Sequence, residues 1–258
     1  IQDVGVRFYT FISSLEYILE ACLENHKPLM ILDRPNPNGF YVDGPVLKKE
    51  FKSFIGMQPV PVVYGMTMGE YALMLAGENW LSPEANRNNA YNVQTEPTAD
   101  TPFHVQVIKC KFYDHNSNYA LPVAPSPNLK SLSAVYWYPS TALFEGTVLS
   151  EGRGTDKPFQ LFGHPSLPDT LVSFTPQPND AAPKSKCYFQ RCYGWDVSGD
   201  AASVRRRLNR QINISYLLEA YRLFPQKDSF FLANGFFHKL AGTHALMEQI
   251  KAGISESE

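Results

Sequence analysis

The sequence predicts an α/β protein, with an incomplete Rossmann-like, doubly wound sheet followed by a smaller α+β domain. Short, uninterrupted apolar runs at Leu29–Leu32 and Val60–Val63 are typical of buried parallel strands. Helical patterns alternate with these runs, which is the order of a parallel sheet covered by helices. Beyond about residue 132 the pattern changes to short strands, Pro-rich turns and then helices. We therefore predict a first domain at 1–131, lacking its N-terminal part, and a second at 132–258.

The first domain is predicted to alternate helices with strands. Apolar residues recur at offsets of three and four over Phe8–Leu23, which indicates an amphipathic helix. A second helix is predicted over Met68–Ala76, with Thr67 able to cap its first turn. Phe103–Ile108 alternates as a third strand, and Ile1-Gln2 is interpreted as the tail of a further one.

Two long loops are expected at 82–102 and 111–131, where Asn, Pro, Ser and Thr accumulate. Loops of that length inside a compact domain are usually functional. The second domain is predicted to contain strands at Ala134–Tyr138, Leu171–Thr175 and Cys187–Val197, and helices at Pro139–Ser150, Val204–Phe224, Phe236–Leu240 and Thr243–Ile250.

Composition excludes several classes of protein. The 258 residues include 23 Lys and Arg against 25 Asp and Glu, and this net charge of -2 lacks the basic excess that a nucleic acid partner requires. The run Arg205–Arg210 is accordingly interpreted as a solvated helix face. No run of about 18 apolar residues is present, so no transmembrane helix is expected. The chain opens without Met or a signal-peptide pattern, and we interpret it as beginning inside a domain.

No cofactor or metal is expected. The sequence has no CxxC or HExxH motif to indicate a zinc site. Its GxG, Gly152-Arg-Gly154, lacks the third glycine of a nucleotide fingerprint. Cys187 and Cys192 lie five apart, an odd offset that in one strand places the sulfurs on opposite faces and disfavours a bridge. With no G-x-S-x-G elbow either, carboxylates are the chemistry that remains.

Polar side chains follow each predicted strand of the first domain. Because ligands bind beyond the carboxyl ends of parallel strands, we expect these residues to converge on one rim. Each residue type is also an ordinary cap, turn former or ion-pair partner, so the group is stronger evidence than any member. The members are Asp3, Arg7, Asp33, Arg34, Asn38, Tyr64, Thr67 and Glu70.

The segment Ser140–Asp156 is the densest in candidate chemistry. Glu145 lies among apolar residues, where partial desolvation would raise its pKa and suit it to general acid catalysis. Three glycines permit close backbone approach, and Arg153 has the fork geometry that binds a carboxylate. The alternative, which composition leaves equally open, is a helix ending in a Gly-rich turn with Glu145 paired to an arginine.

Several motifs spread over the chain are long enough to exclude chance similarity. They are Ile1–Thr10, Leu32–Gly39, Asp43–Val46, Tyr64–Tyr71, Pro125–Leu129, Phe144–Thr147, Gly152–Asp156 and Phe237–Thr243. Together they closely resemble the NamZ family of exo-β-N-acetylmuramidases. The resemblance implies a Rossmann-like domain, a smaller C-terminal domain and a secreted or periplasmic glycosidase. Such an enzyme removes N-acetylmuramic acid from the non-reducing ends of peptidoglycan fragments.

The resemblance also suggests roles for individual residues. Glycoside hydrolysis normally takes two carboxyl groups, which implies Glu145 as acid/base or stabilising carboxylate, with Glu70 or Asp33 in support. Muramic acid carries a lactyl carboxylate, which Arg153, Arg34 or Arg7 would bind. The other predicted substrate-binding residues are Asn38, Tyr64, Thr67 and Asp156. Retaining, inverting and acetamido-assisted mechanisms all remain open.

Two departures from the family pattern define the alternative. Family members have a preceding segment with a Pro-Glu-His-Gly motif, and we expect part of the catalytic pair to lie in that segment. Many members have His where this sequence has Tyr64. The alternative is therefore a non-catalytic muropeptide-binding protein, while an esterase or amidase acting on cell-wall fragments has little motif support. The expected location is the periplasm or cell envelope.

Overall fold

The computed structural model describes residues 2–89, 93–94 and 105–256, which form two sheets surrounded by helices. The parallel sheet has the order β1-β3-β2, with β1 paired to β3 along its whole length. The second sheet is antiparallel, in the order β4-β6-β5. The strands are β1 (Leu29–Leu32), β2 (Val93–Gln94), β3 (Val105–Ile108), β4 (Leu161–His164), β5 (Val172–Phe174) and β6 (Cys192–Asp196).

Helices cover both halves of the chain. The described α-helices are α1 (Phe11–Glu24), α2 (Met68–Gly77), α3 (Pro83–Asn89), α4 (Leu132–Thr141), α5 (Ala201–Leu208), α6 (Ser215–Leu223), α7 (Phe236–Ala241) and α8 (Ala245–Ala252). Within those described ranges, no helix has the length and apolarity needed to cross a membrane. The α/β class, with a small parallel sheet and a separate second sheet, is confirmed. The Rossmann-like assignment and the boundary at 131 stay predictions.

The residues that the structure describes form two hydrophobic cores. The smaller packs α1 and α2 against the parallel sheet and contains Leu19, Leu75 and Val107. The larger joins residues from both predicted domains, for example Val63 with Trp137. The segment that precedes α1 also packs with the C-terminal half of the chain, since the ring centres of Phe8 and Tyr138 lie 5.7 Å apart.

The predicted helices of the first domain are confirmed. α1 begins only at Phe11, because Arg7–Tyr9 forms a 3-10 turn and Thr10 has a φ of 69°. α2 begins with a capping box in which the Thr67 side chain accepts from Glu70 N and the Glu70 carboxylate accepts from Thr67 N.

The predicted strand at Val60–Val63 is wrong. Its residues make single antiparallel bridges, from Val63 to Val6 and to Asp43, and do not join the parallel sheet. Pro61 lacks a backbone N–H, so this segment cannot form a continuous ladder. The strand at 29–32 is confirmed, but only one of its faces is buried. Met30 and Leu32 are 54% and 69% exposed.

The predicted strand at Ala134–Tyr138 is wrong, because these residues form the centre of α4. Ser131 caps this helix through Ala134 N, and every residue from Ser133 to Thr141 is buried. A helix buried on all sides has no polar face, so its sequence shows no 3.6-residue pattern. The β-branched and aromatic residues there instead resemble a strand.

The long helix predicted over Val204–Phe224 is also wrong, because two helices replace it. Asn209 and Arg210 have φ values of 46° and 61°, and this left-handed pair ends α5. Over Pro139–Ser150 the helical prediction is wrong in part, since α4 ends at Thr141 and is followed by a 3-10 turn at Ala142–Gly146. The predicted C-terminal helices are confirmed as α7 and α8.

The loop at 111–131 is confirmed, since none of its residues belongs to a helix or strand. The loop at 82–102 is wrong in part, because it contains α3 and β2, and its remaining residues from 95 onward lie outside the described ones. Residues 103–104 of the third strand and Ile1 also lie outside them, and Gln2 is not in a strand.

The strand predicted at Leu171–Thr175 is confirmed as β5, and the one predicted from Cys187 begins only at Cys192. Cys187 lies in a turn with a φ of 57°, so strand alternation does not apply to it. A hydrogen bond with Cys192 lowers the pKa of the Cys187 thiol, and both cysteines are free.

Candidate active site

The carboxyl end of β1 meets the N-terminus of α2 at a cluster of polar groups. Asp33 Oδ2 accepts from the Thr67 hydroxyl at 2.6 Å, and Asp33 Oδ1 accepts from Gly69 N at 2.9 Å. Glu70 Oε2 accepts from Thr67 N at 2.8 Å, and Glu70 Oε1 lies 3.1 Å from His115 Nε2. Asp33, Thr67 and Glu70 are thus brought together as predicted. Their hydrogen bonds assign them the capping of α2, and a catalytic role for either acid stays a prediction.

Asp3 and Tyr64 form a buried pair beside this cluster. The Tyr64 hydroxyl donates to Asp3 Oδ2, which also accepts from Gly5 N at 2.8 Å. Asp3 Oδ1 is buried and has no hydrogen-bond partner among the described residues. Burial raises the pKa of Asp3, and the Tyr64 hydrogen bond opposes that rise. Burial also raises the pKa of Tyr64 well above its ordinary value, so this hydroxyl remains a hydrogen-bond donor to Asp3.

Arg7 and Asn38 are not on the rim, which corrects the prediction that places them among its ligand-binding residues. Arg7 is 0% exposed, and its guanidinium donates to three backbone carbonyls, those of Pro45, Val60 and Leu240. A substrate carboxylate has no access to it. The buried Asn38 amide donates to Val4 O and to Val135 O. Within α4, Val135 O has no helical N–H donor, because the residue four positions later is Pro139.

Arg34 remains accessible at the rim. Its side chain is exposed, donates from Nε to Gln2 Oε1 at 2.8 Å and donates from Nη2 to the Tyr119 hydroxyl at 3.2 Å. Asp156 is exposed too, but it lines a separate cleft of about 560 Å³ beside β5. The structure therefore does not bring all predicted substrate-binding residues to one place.

Glu145 lies in the 3-10 turn after α4, with 21% of its side chain exposed. Burial raises the pKa of this carboxyl, and the nearby Arg153 cation opposes the rise. Arg153 Nη2 lies 3.4 Å from Glu145 Oε2, so the ion pair anticipated as the structural alternative is present. A carboxyl that is partly desolvated yet still reached by solvent is suited to proton transfer.

Arg153 is fixed by a tight turn of the backbone. Gly152 and Gly154 have φ values of 78° and 81°, and a Cβ on either would lie within 2.6 Å of a carbonyl oxygen. The guanidinium lies 4.9 Å from the centre of the Phe159 ring, and its Nε lies 3.2 Å from Glu151 Oε1. Arginine has five N–H donors, so these contacts leave several for a ligand, and 29% of the side chain is exposed.

Glu151 and Lys186 complete the charge balance of this group, and neither is among the site residues predicted from the sequence. Lys186 Nζ lies 3.0 Å from Glu151 Oε2 and donates to the carbonyls of Phe144 and Leu149 at 2.8 Å each. Glu151 lies within Ser140–Asp156, the segment densest in candidate chemistry, and this position is what could have indicated it as a site residue. Lys186 comes from a distant turn, and no local pattern indicates it.

The charges of Asp3 and Glu145 both act on the buried Tyr138, which packs against Tyr9. Tyr9 and Tyr138 pack edge to face with ring centres 5.5 Å apart. Burial and then the Glu145 charge raise the pKa of Tyr138 well above its ordinary value, and Asp3 contributes in the same direction.

Among the residues that the structure describes, no group of three His, Cys, Asp or Glu side chains is placed to hold a metal. The arrangement brings a carboxyl, a guanidinium and aromatic rings close together.

Sequence comparison decides the family. The profile described as "Exo-beta-N-acetylmuramidase NamZ, N-terminal" matches residues 1–133, and the corresponding C-terminal profile matches residues 136–258. The chain belongs to the NamZ family. The resemblance read from the motifs is thereby confirmed. Within NamZ, the Asp33 cluster falls in the N-terminal region, and the Glu145 group falls in the C-terminal region.

Individual relatives agree with that assignment. The chain is 35% identical over 269 aligned residues to "Peptidoglycan beta-N-acetylmuramidase NamZ" of Bacillus subtilis (strain 168), covering 99% of this chain and 60% of that protein. The chain thus spans 60% of the length of this NamZ relative.

Solved structures show the same fold. A DUF1343 family protein from Bacteroides fragilis NCTC 9343 matches with a TM-score of 0.87 and 41% identity, over 100% of this chain and 67% of that one. A second DUF1343 protein from the same organism matches with a TM-score of 0.69 and 23% identity, over 97% of this chain and 66% of that one, and shows the fold alone.

Proposed function

We propose that the protein is a glycoside hydrolase that removes N-acetylmuramic acid from the non-reducing ends of peptidoglycan fragments. Membership of the NamZ family and the named activity of the Bacillus subtilis relative support this proposal. The observation that carries it within the molecule is Glu145, a largely buried carboxyl held beside a fixed arginine.

Glu145 is proposed as the general acid that protonates the leaving oxygen of the glycosidic bond. Its burial favours the protonated form, which is the form a general acid needs near neutral pH. Removing the acid of such a pair typically lowers the rate by about 100-fold or more. Glu151 is a poor candidate for a second catalytic carboxyl, because it is buried and bound by both Arg153 and Lys186.

Arg153 is proposed to bind the lactyl carboxylate that distinguishes muramic acid from glucosamine. Its contact with Glu145 is long, at 3.4 Å. Among the described residues, Glu145 and Glu151 are the carboxylates that pair with the guanidinium, so it has N–H donors left for a ligand. A guanidinium binds a carboxylate through two parallel hydrogen bonds, which confers geometric selectivity for the acidic sugar.

The test is incubation with a disaccharide of N-acetylmuramic acid and N-acetylglucosamine, followed by mass spectrometry of the products. Release of free N-acetylmuramic acid from the non-reducing end is the expected result. Binding measured by calorimetry without any release would favour the non-catalytic muropeptide-binding alternative. A product that has lost an acetyl group but keeps its glycosidic bond would reveal amide cleavage and would contradict the glycosidase proposal.

We also propose that the protein works in the cell envelope, because its proposed substrate lies outside the cytoplasmic membrane. Fractionation of the producing cells tests this, with the protein expected in the periplasmic or envelope fraction. Recovery in the cytoplasmic fraction alone would contradict it.

A further inference from the structure

A second cleft, which we call the arginine cleft, lies between α5, α4 and the loop at 111–131. It has a volume of about 590 Å³, a size that accommodates a small ligand. No acidic residue lines it in the part of the chain that the structure describes. The lining residues that matter here are Phe40, Tyr119, Tyr136, Arg205, Arg206 and Arg210.

The three arginines of the cleft have no carboxylate partner. None of them lies within 4.0 Å of an Asp or Glu oxygen among the described residues. Hydrogen bonding to Ser203 lowers the pKa of Asp200 and the Arg206 charge acts in the same direction, but Asp200 caps α5 by accepting from Ser203 N and does not line the cleft. In a protein of net charge -2, this is a local concentration of positive charge around a concave surface.

The cleft is also preorganised. The Arg205 guanidinium lies 4.0 Å from the centre of the Phe40 ring. Arg206 Nη2 donates to Ser203 Oγ at 2.9 Å. The left-handed pair at Asn209 and Arg210 ends the helix at the cleft wall. Side chains that are already ordered lose less conformational entropy when a ligand binds.

The chemistry of the lining defines the ligand. Guanidinium groups bind carboxylates through paired hydrogen bonds, and tyrosine rings pack against sugar faces. Tyr119 also accepts from Arg34, so the cleft adjoins the rim of the parallel sheet. Tyr136 and Tyr138 are two residues apart on α4 and so face different sides of that helix. Tyr136 lines the cleft, whereas Tyr138 is the tyrosine on which the Glu145 charge acts, so the cleft is separate from Glu145.

We propose that the arginine cleft is a second, non-catalytic binding site for a carboxylate-bearing glycan strand. The choice of peptidoglycan glycan, with its lactyl carboxylates, rests on the proposed function. The site holds a long glycan strand on the protein while the non-reducing end of that strand is hydrolysed at the Glu145 group. It is not needed for a small substrate that reaches only the Glu145 group.

The test compares R206Q/R210Q with R191Q/R222Q, which removes two exposed arginine charges outside the cleft. The probe is a peptide-free glycan strand whose non-reducing end is N-acetylglucosamine, which the proposed exo-activity leaves intact. We expect R206Q/R210Q to bind it at least about tenfold more weakly than the unmodified protein, because two charge-assisted contacts are lost. R191Q/R222Q should bind as the unmodified protein does, and both variants should release N-acetylmuramic acid from a small chromogenic glycoside at the normal rate.

Two further probes identify the ligand group. Chitin oligosaccharides share the sugar backbone without the carboxylate and should bind weakly to every variant. Equal strand affinity for R206Q/R210Q and the unmodified protein would overturn the proposal, as would arginine-dependent binding of inorganic phosphate without binding of the strand. If the glycoside is not hydrolysed but strand binding still depends on Arg206 and Arg210, the proposed function fails and this inference stands.

Discussion

At the scale of single residues, Glu145 is governed by two opposing effects. Burial raises the pKa of its carboxyl, and the Arg153 cation beside it lowers that pKa. The sequence predicted both features separately, as an acid among apolar residues and as an arginine between glycines. It could not predict that the two would pair, because the turn that fixes Arg153 depends on carbonyl groups brought close by folding.

Replacing Arg153 with glutamine tests this balance. Without the cation, the pKa of Glu145 rises further, so the protonated acid persists to higher pH. The alkaline limb of the kcat profile should therefore move to higher pH in R153Q, and KM for a muramic acid glycoside should rise by about tenfold. The measurement is kcat and KM for that glycoside across pH. R153K keeps the charge and should keep the position of the limb, and an unmoved limb in R153Q would refute the coupling.

At the scale of elements, α2 shows how local sequence positions part of the candidate site. The Thr67 side chain accepts from Glu70 N and donates to Asp33, so one hydroxyl joins the helix cap to the end of β1. The sequence predicts this helix and its cap because all the groups involved, except Asp33, lie within four residues of one another.

Replacing Thr67 with alanine should destabilise the protein by about 1 kcal/mol, because the cap and the Asp33 hydrogen bond are both lost. T67S retains the hydroxyl and should stay close to the unmodified protein. Urea denaturation measures the free energy of unfolding of both. Equal stability for T67A and T67S would show that the observed cap contributes nothing.

Elements set by distant contacts could not be predicted in this way. The residues of α4 are buried on every side, so they carry no amphipathic pattern, and its Pro139 is tolerated because Asn38 donates to the carbonyl that Pro139 leaves free. The break between α5 and α6 depends on Asn209 and Arg210 in left-handed conformations, which the apolar periodicity across the break conceals. Arg7 looked like a ligand-binding group in sequence but serves three carbonyls that only the fold assembles.

At the scale of the whole molecule, one buried acid links stability to pH. Glu16 on α1 is 1% exposed, accepts from Gln58 Nε2 at 2.6 Å and has a second oxygen without a partner among the described residues. Burial raises the pKa of Glu16 to about 7 from an ordinary 4.5. The folded protein thus holds this proton in a pH range where the unfolded chain releases it.

The sign of the effect follows from proton linkage. Below pH 4.5 the group is protonated in both states, and between pH 4.5 and about 7 the unfolded state loses its proton first. Stability should therefore fall as pH rises through this range, by up to roughly 3 kcal/mol, and then level off. E16Q should lose the part of this fall that Glu16 contributes, so its stability should depend less steeply on pH and it should be the more stable protein at pH 8, whereas E84Q, at an exposed site, should not differ from the unmodified protein. Thermal unfolding from pH 4 to pH 8 measures this, and an unchanged slope in E16Q would contradict the assignment.

Glu145 is proposed as the general acid of an N-acetylmuramidase. The most direct test is the initial rate of release from a chromogenic N-acetylmuramic acid glycoside by the unmodified protein, by E145Q and by E248Q, a matched change at an exposed position. We expect E145Q to have a kcat about 100-fold or more below that of the unmodified protein with little change in KM, and E248Q to be unaffected. A normal rate of release by E145Q would contradict it.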